Sequence, residues 1–216
     1  MNADDHTIAV LAKDFPEAFP PPKKTPVKYH YMIDIETMGL SATAPIISIG
    51  AVKFDPEESW DQHPMEAFSV NVDIATVHHV GCAFEGETIK WWLAPERAAA
   101  REELLKGHGV DLRDALDGLK DWLGEGGPTW ANSPSFDLAI LARAFKFMGT
   151  EVPWKYTDER DYRTVRKMSP TRYVDMADEE IKISLPNLVG HSARDDAEYQ
   201  ARALIYICDI QGLDIK

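Results

Sequence analysis

The stretch that decides the fold is Tyr29-His-Tyr-Met-Ile-Asp-Ile-Glu-Thr37, which is rich in β-branched and aromatic residues and carries two acids near its end. This composition predicts a β-strand. Asp34 and Glu36 are two positions apart, so on a strand their side chains lie on the same face. Adjacent carboxylates repel each other and lose hydration, and a hard divalent cation suits their oxygen atoms. The pair therefore indicates a metal site or, more simply, a strand end that faces water.

Composition narrows the class of protein. The chain has 216 residues, 44% of them hydrophobic, and a net charge of −13. That charge disfavours nucleic-acid binding through a broad basic surface, but it permits binding in a small cleft where metals supply positive charge. Two cysteines, Cys82 and Cys208, fit a reducing compartment. Without a signal-peptide pattern or an apolar run of about 18 residues, we expect a soluble cytoplasmic protein with no membrane partner.

The chain divides into a short arm and one domain. Residues 1–28 contain four prolines within eight residues, which favours an extended, Pro-rich arm. Residues 29–216 form the expected domain. Within it, 29–72 contains three strand-like segments, which predict an antiparallel meander.

Helical periodicity follows the meander. It predicts helices over 88–93, 96–106, 112–123, about 134–148 and about 192–210, with Ser133 as the N-cap of the fourth. A short strand is expected at 128–131 and an edge strand near 154–156, followed by a helical piece over 160–168. This alternation predicts an α/β domain with a mixed β-sheet flanked by α-helices.

Further acids and one histidine lie downstream. Asp137 falls in the first turn of its predicted helix, where the helix dipole favours an acid without any metal. His191-Ser-Ala-Arg-Asp-Asp196 precedes the last helix, and a solvated surface histidine with two acids is its simpler interpretation.

Taken in order, these pieces resemble a known family. Asp34-x-Glu36, Asp137 after Asn132-x-x-x-Phe136, and His191-x-x-x-x-Asp196 are similar to the DEDDh group of 3′–5′ exonucleases, which have an RNase H-like fold. Within that group the chain looks like the T-even phage exonuclease A type and the mycobacterial-type 3′–5′ exoribonucleases. The narrower likeness rests on four motifs: Asp34-Ile-Glu-Thr-Met-Gly39, Thr88-Ile-Lys-Trp-Trp92, Trp130-Ala-Asn-Ser-Pro-Ser-Phe-Asp137 and Asp161-Tyr-Arg-Thr164.

The resemblance implies a reaction and its residues. It implies hydrolysis of single-stranded DNA or RNA from the 3′ end to nucleoside 5′-monophosphates, with two Mg²⁺ or Mn²⁺ ions. The implied metal ligands are four acids: Asp34, Glu36, Asp137 and Asp196. His191 is the implied general base, because imidazole titrates near neutral pH. Spacing alone equally allows Asp195, one helical turn after His191, as the fourth ligand.

Five residues are expected to contact the substrate. The loop residues Thr37 and Met38 follow the first acidic pair, although an ordinary turn is the simpler interpretation. Trp92, in the Trp91-Trp92 pair, is our candidate for stacking on a base. The simpler interpretation of the pair is that one indole is buried in the core and the other is exposed to solvent. Asn132 belongs to the family-like motif, and Arg163 lies in a locally basic region that could instead be a solvated face.

Two other functions fit part of the pattern. A phosphatase of the haloacid dehalogenase type also begins with an acidic pair at a strand end, but it requires Asp-x-Asp and has no role for His191. An RNase H-like domain retained as a binding or scaffold module would keep the fold without activity. The choice between DNA and RNA stays open, because no residue visibly reads a 2′-hydroxyl.

Overall fold

A computed structural model describes residues 29–61, 65–77 and 81–215. The predicted arm over 1–28 lies outside these residues, so its conformation stays a prediction. No helix in the described part of the chain is long and apolar enough to cross a membrane.

Five strands form one mixed sheet in the order β3-β2-β1-β4-β5. The strands are β1 (His30–Thr37), β2 (Ile46–Phe54), β3 (Glu66–Asn71), β4 (Thr129–Ala131) and β5 (Glu159–Asp161). The first three are antiparallel, as the meander predicts, and β4 and β5 then pair in parallel with β1 and β4 respectively. The expected mixed sheet is therefore confirmed, with β1 at its centre.

Seven α-helices flank the sheet within the described residues. They are α1 (Gly86–Leu93), α2 (Ala98–Leu104), α3 (Leu112–Leu123), α4 (Asp137–Phe147), α5 (Tyr162–Met168), α6 (Thr171–Ser184) and α7 (Ala193–Gln211). Two short 3₁₀ turns, Pro95–Arg97 and Tyr156–Asp158, join α1 to α2 and precede β5.

The alternation of β1 separates two hydrophobic layers. Ile33 and Ile35 point into the layer built with α3 and α4, whereas Met32 points into the layer built with α6 and α7. Asp34 and Glu36 share the parity of Met32. They therefore lie on the face of the sheet that α7 covers, and α7 makes extensive contact with both β1 and β2.

Four of the predicted elements differ from those observed. The helix expected from about 134 begins at Asp137, because a turn comes first, in which the Ser133 carbonyl accepts from the N–H groups of Phe136 and Asp137. Ser133 is therefore not the N-cap. The helix expected over 96–106 is split at Arg97, and the edge strand lies at 159–161 instead of 154–156, so the helical piece expected from 160 begins at Tyr162. Helix α6 was not predicted, because its mean hydropathy is low and only Ala177 and Ile181 are buried.

Candidate active site

Four acids from three separate elements meet at the carboxyl end of β1. Asp34 and Glu36 come from β1 itself, Asp137 is the first residue of α4, and Asp196 lies in the first turn of α7. All four interact electrostatically: Asp137, Glu36 and Asp196 each raise the pKa of Asp34. Tertiary structure thus unites acids that are up to 162 positions apart in the chain, from 34 to 196.

A glycine on the neighbouring strand lets α7 approach the sheet. Gly50 of β2 is the register partner of Asp34. A Cβ atom at this position would lie 2.1 Å from the backbone nitrogen of Arg194 and 2.2 Å from the carbonyl carbon of Ala193. These distances leave no room for a side chain. Gly50 therefore permits the close packing that places the first turn of α7 beside the β1 acids.

Burial makes the acids difficult to ionise. Asp34, Glu36 and Asp137 are 8%, 9% and 4% exposed. Desolvation, followed by repulsion from the neighbouring acids, raises the pKa of Asp34 and Glu36 well above the usual range. Desolvation also raises the pKa of Asp137 and of Asp196 to about 6. The folded chain therefore concentrates negative charge where it is costly without a cation.

Hydrogen bonds from the backbone and from one side chain orient the carboxylates. The Ser133 N–H donates to Asp137 Oδ2 at 3.2 Å, and the His191 N–H donates to Asp196 Oδ2 at 2.9 Å. The Nε2 of buried Gln200 donates to Asp34 Oδ1 at 2.8 Å. No sequence motif singles out Gln200, because its role becomes visible only when α7 packs against β1.

His191 lies directly beside the acids. Glu36, His191 and Asp196 each offer one ligand atom, and these three atoms lie within 4.8 Å of one another. The backbone of His191 is left-handed, with φ of 64°, which is unfavourable for a residue with a side chain and marks a constrained position. Burial and the charge of Arg97 lower the pKa of the imidazole, so it is neutral and able to accept a proton at neutral pH.

The structure distinguishes the two neighbouring aspartates. Asp195 accepts from the Val189 N–H at 2.8 Å and pairs with Arg194 at 2.8 Å, outside the acid cluster. Asp196 instead faces Glu36, whose pKa it raises. Of the two candidates that spacing left open, geometry therefore favours Asp196 as the ligand.

The donor set fits a divalent metal. Buried carboxylate oxygens that repel each other are typical ligands of Mg²⁺ and Mn²⁺, and a bound cation would remove the repulsion. The nearby imidazole could also act as a ligand by distance alone. The four acids predicted from sequence, with His191, therefore form one group that can hold metal and move a proton.

A groove of about 390 Å³ opens next to this group. It is lined by Glu36 and Thr37 of β1, by Trp91 and Trp92 of α1, and by Phe136, and its volume is within the range of about 300–1,000 Å³ that is typical of ligand sites. The groove therefore lies between the end of β1 that carries the acids and the side chains of α1.

The predicted substrate residues on β1 and α1 have distinct surroundings. The Thr37 hydroxyl donates to the Gly39 carbonyl at 2.6 Å, and the Thr37 carbonyl accepts from Trp92 Nε1 at 2.9 Å. Trp92 is 3% exposed and supports the end of β1 through this hydrogen bond, whereas Trp91 is 37% exposed. Met38 packs in a small cluster with Ile47 and Trp92 and does not line the groove. The more accessible indole is therefore that of Trp91.

The other two predicted contacts come from different parts of the fold, next to β4 and on α5. Asn132 follows β4 and is partly buried. Arg163 is an exposed residue of α5, and its charge lowers the pKa of Asp137. Phe136 packs against the core and also lines the groove.

Comparison with known proteins identifies the family. The family model described as the 3′-5′ exoribonuclease Rv2179c-like domain matches residues 29–208. The chain belongs to this family. The Rv2179c-like domains are 3′–5′ exonucleases and therefore phosphodiester hydrolases, so the resemblance drawn from the sequence motifs is confirmed. Membership of this family also argues against the haloacid dehalogenase-type phosphatase, which the acidic pair by itself allowed.

Individual relatives are more distant. The Rv2179c-like chain is 25% identical over 128 residues to an exodeoxyribonuclease of Enterobacteria phage T4. The match covers 52% of this chain and 54% of that relative. This chain therefore spans about half of the relative's length.

Solved structures show the same fold. The chain is similar to the RNase domain of the yeast Pop2 protein, at 11% identity and a TM-score of 0.52 over 84% of this chain and 77% of that one. It is also similar to a zinc-bound complex of E. coli exonuclease I with single-stranded DNA, at 14% identity and a TM-score of 0.50 over 85% and 41%. The predicted RNase H-like fold is thereby confirmed.

Proposed function

We propose that this protein is a metal-dependent 3′–5′ exonuclease that removes nucleoside 5′-monophosphates from the 3′ end of single-stranded DNA or RNA. The observation that carries the proposal is the cluster of buried acids with raised pKa values beside a neutral histidine. No other part of residues 29–61, 65–77 and 81–215 brings three potential metal ligands this close together. Residues 29–216 would act as one catalytic domain, preceded by the arm over 1–28.

The proposed roles follow from the geometry. Asp34, Glu36, Asp137 and Asp196 would hold two Mg²⁺ or Mn²⁺ ions, which supply positive charge at the attacking and leaving oxygens. His191 would accept the proton of the attacking water, because its imidazole is neutral and lies beside Glu36 and Asp196. Gln200 and the Ser133 and His191 amides would keep the carboxylates oriented.

The groove would receive the terminal nucleotide. Trp91 presents the more exposed indole, so we propose it as the stacking surface and Trp92 as its support, while Thr37 and Asn132 would contact the terminal nucleotide. Arg163 would contact the phosphate backbone from the α5 side, because its charge already reaches Asp137. Met38 would act through its packing against Ile47 and Trp92, which supports the loop after β1.

A gel assay tests the proposal directly. Single-stranded DNA and RNA of one sequence, labelled at the 5′ end, are incubated with Mn²⁺ or with chelator, using the wild type, Asp34→Ala and His191→Ala. We expect a ladder that shortens from the 3′ end and disappears with chelator and in both variants. Binding of either strand without degradation would support the scaffold alternative. The faster substrate identifies the nucleic acid.

A further inference from the structure

An arginine that the sequence motifs did not indicate lies beside the acids. Arg97 is the last residue of the 3₁₀ turn after α1, and its guanidinium carbon lies 4.2 Å from the centre of the Trp91 ring. The Trp91 ring in turn meets the His191 ring at 4.8 Å and nearly at right angles. Trp91, which lines the groove, thus contacts the Arg97 guanidinium across its ring face and the His191 imidazole edge-to-face.

The guanidinium has no hydrogen-bond acceptor in the described part of the chain. Its Nε–H is buried without an acceptor, and no carboxylate of residues 29–61, 65–77 or 81–215 forms an ion pair with it. The nearby Arg101 differs, because it donates to the carbonyls of Trp92 and Ala94 at 2.5 and 2.7 Å. A buried donor without a partner is costly, so Arg97 has capacity for a ligand that the protein itself does not satisfy.

Arg97 interacts electrostatically with the acidic centre. Its positive charge lowers the pKa of Glu36 and contributes to the lowered pKa of His191. The guanidinium is therefore close enough to Glu36 and His191 to act on them electrostatically, and the charge of Arg163 on α5 acts in the same way on Asp137. An anionic substrate that approaches four acids in a chain of net charge −13 needs such cations on its path.

We propose that Arg97 binds the phosphate of the 3′-terminal nucleotide, the group at which the bond is cut. This inference rests on the proposed exonuclease function. A guanidinium offers a planar set of donors that matches two phosphate oxygens, and stacking on Trp91 holds that plane in place before the substrate arrives. Trp91 would then serve two groups at once, the base through its exposed surface and the phosphate through Arg97.

Ligand binding separates this role from a structural one. A nucleoside 5′-monophosphate and the matching nucleoside are titrated by calorimetry, at one Mn²⁺ concentration, into the wild type, Arg97→Ala, Arg97→Gln and Arg113→Ala. Arg113 is the matched control, because it is exposed on α3 and donates to the Met148 carbonyl, away from the groove. The Arg97→Gln substitution keeps a planar group on the indole but removes the charge.

We expect both Arg97 variants to bind the nucleotide about 10- to 100-fold more weakly, which is the range for a hydrogen bond to a charged group. Nucleoside affinity should stay within about twofold, and Arg113→Ala should match the wild type.

Equal loss for nucleotide and nucleoside would show that Arg97 only supports Trp91, and unchanged nucleotide affinity would also overturn the inference. If the wild type degrades strands while the Arg97 variants keep normal nucleotide selectivity, the inference fails and the exonuclease function stands. A wild type that neither degrades strands nor binds the nucleotide would refute the function itself.

Discussion

Replacing Asp137 by asparagine should stabilise the metal-free protein while it abolishes activity. Asp137 is 4% exposed, and burial raises its pKa from 3.8 to about 6. The folded state therefore holds a proton on Asp137 at a pH where the unfolded chain has lost it. The free energy of unfolding therefore falls as the pH rises from about 4 to about 6. Above that range it stays lower, because the folded state then holds the buried charge of Asp137. Asparagine keeps the shape of the side chain but carries no charge.

The magnitude follows from the pKa difference. About two pKa units, at about 1.4 kcal/mol each, correspond to roughly 3 kcal/mol at pH 7.5. Part of this gain is lost, because the neutral amide accepts more weakly from the backbone N–H of Ser133 and of Ile35. We therefore expect the variant to gain about 1–3 kcal/mol in free energy of unfolding in the presence of chelator.

Urea denaturation, followed by tryptophan fluorescence from pH 4 to 8, measures this difference. The gain should fall to a small remainder at pH 4, because Asp137 is then protonated in the folded state and partly protonated in the unfolded chain, where its pKa is 3.8. Mn²⁺ at about 1,000 times its Kd should reverse the order of stability, since binding then adds about 4.1 kcal/mol to the wild type. Asp121→Asn, an exposed acid of α3, is the control and should change stability by less than about 0.5 kcal/mol. A variant that is no more stable than the wild type in chelator at pH 7.5 would refute the electrostatic reasoning.

Three further changes have expected outcomes. Gln200→Leu removes the side-chain donor to Asp34 and should raise the Mn²⁺ concentration for half-maximal activity about 10- to 100-fold; an unchanged metal titration would contradict its positioning role. Gly50→Ala forces a Cβ into the Ala193–Arg194 backbone and should cost at least about 1–3 kcal/mol in a urea titration, together with activity, so a fully stable and active variant would be inconsistent with the packing. His191→Ala should lower kcat about 10²- to 10⁴-fold. The wild-type rate should rise with pH through a midpoint below 6.5 as the imidazole loses its proton, and a variant that still shows this rise would contradict the role of His191 as the base.

The sequence by itself determined the central strand and the identity of the acids. The β-branched and aromatic run of β1 predicts a strand, and the long apolar run of β2 predicts a strand that is covered on both faces. Asp34 and Glu36 share a face through the two-residue period of a strand. Helix α3 was also predicted at its observed ends, since its apolar period is regular and Gly124 stops it.

Only the tertiary structure decided how the parts of the site meet. The selection of Asp196 over Asp195 depends on the direction in which α7 packs, and that packing depends on the missing side chain of Gly50. The roles of Trp91 and Trp92 depend on which face of α1 lies against β1. Arg97 and Gln200 show no local motif, because their significance arises from long-range approach to Glu36, His191 and Asp34. Local patterns specify which groups a chain carries, whereas packing between distant segments decides which of them share a site.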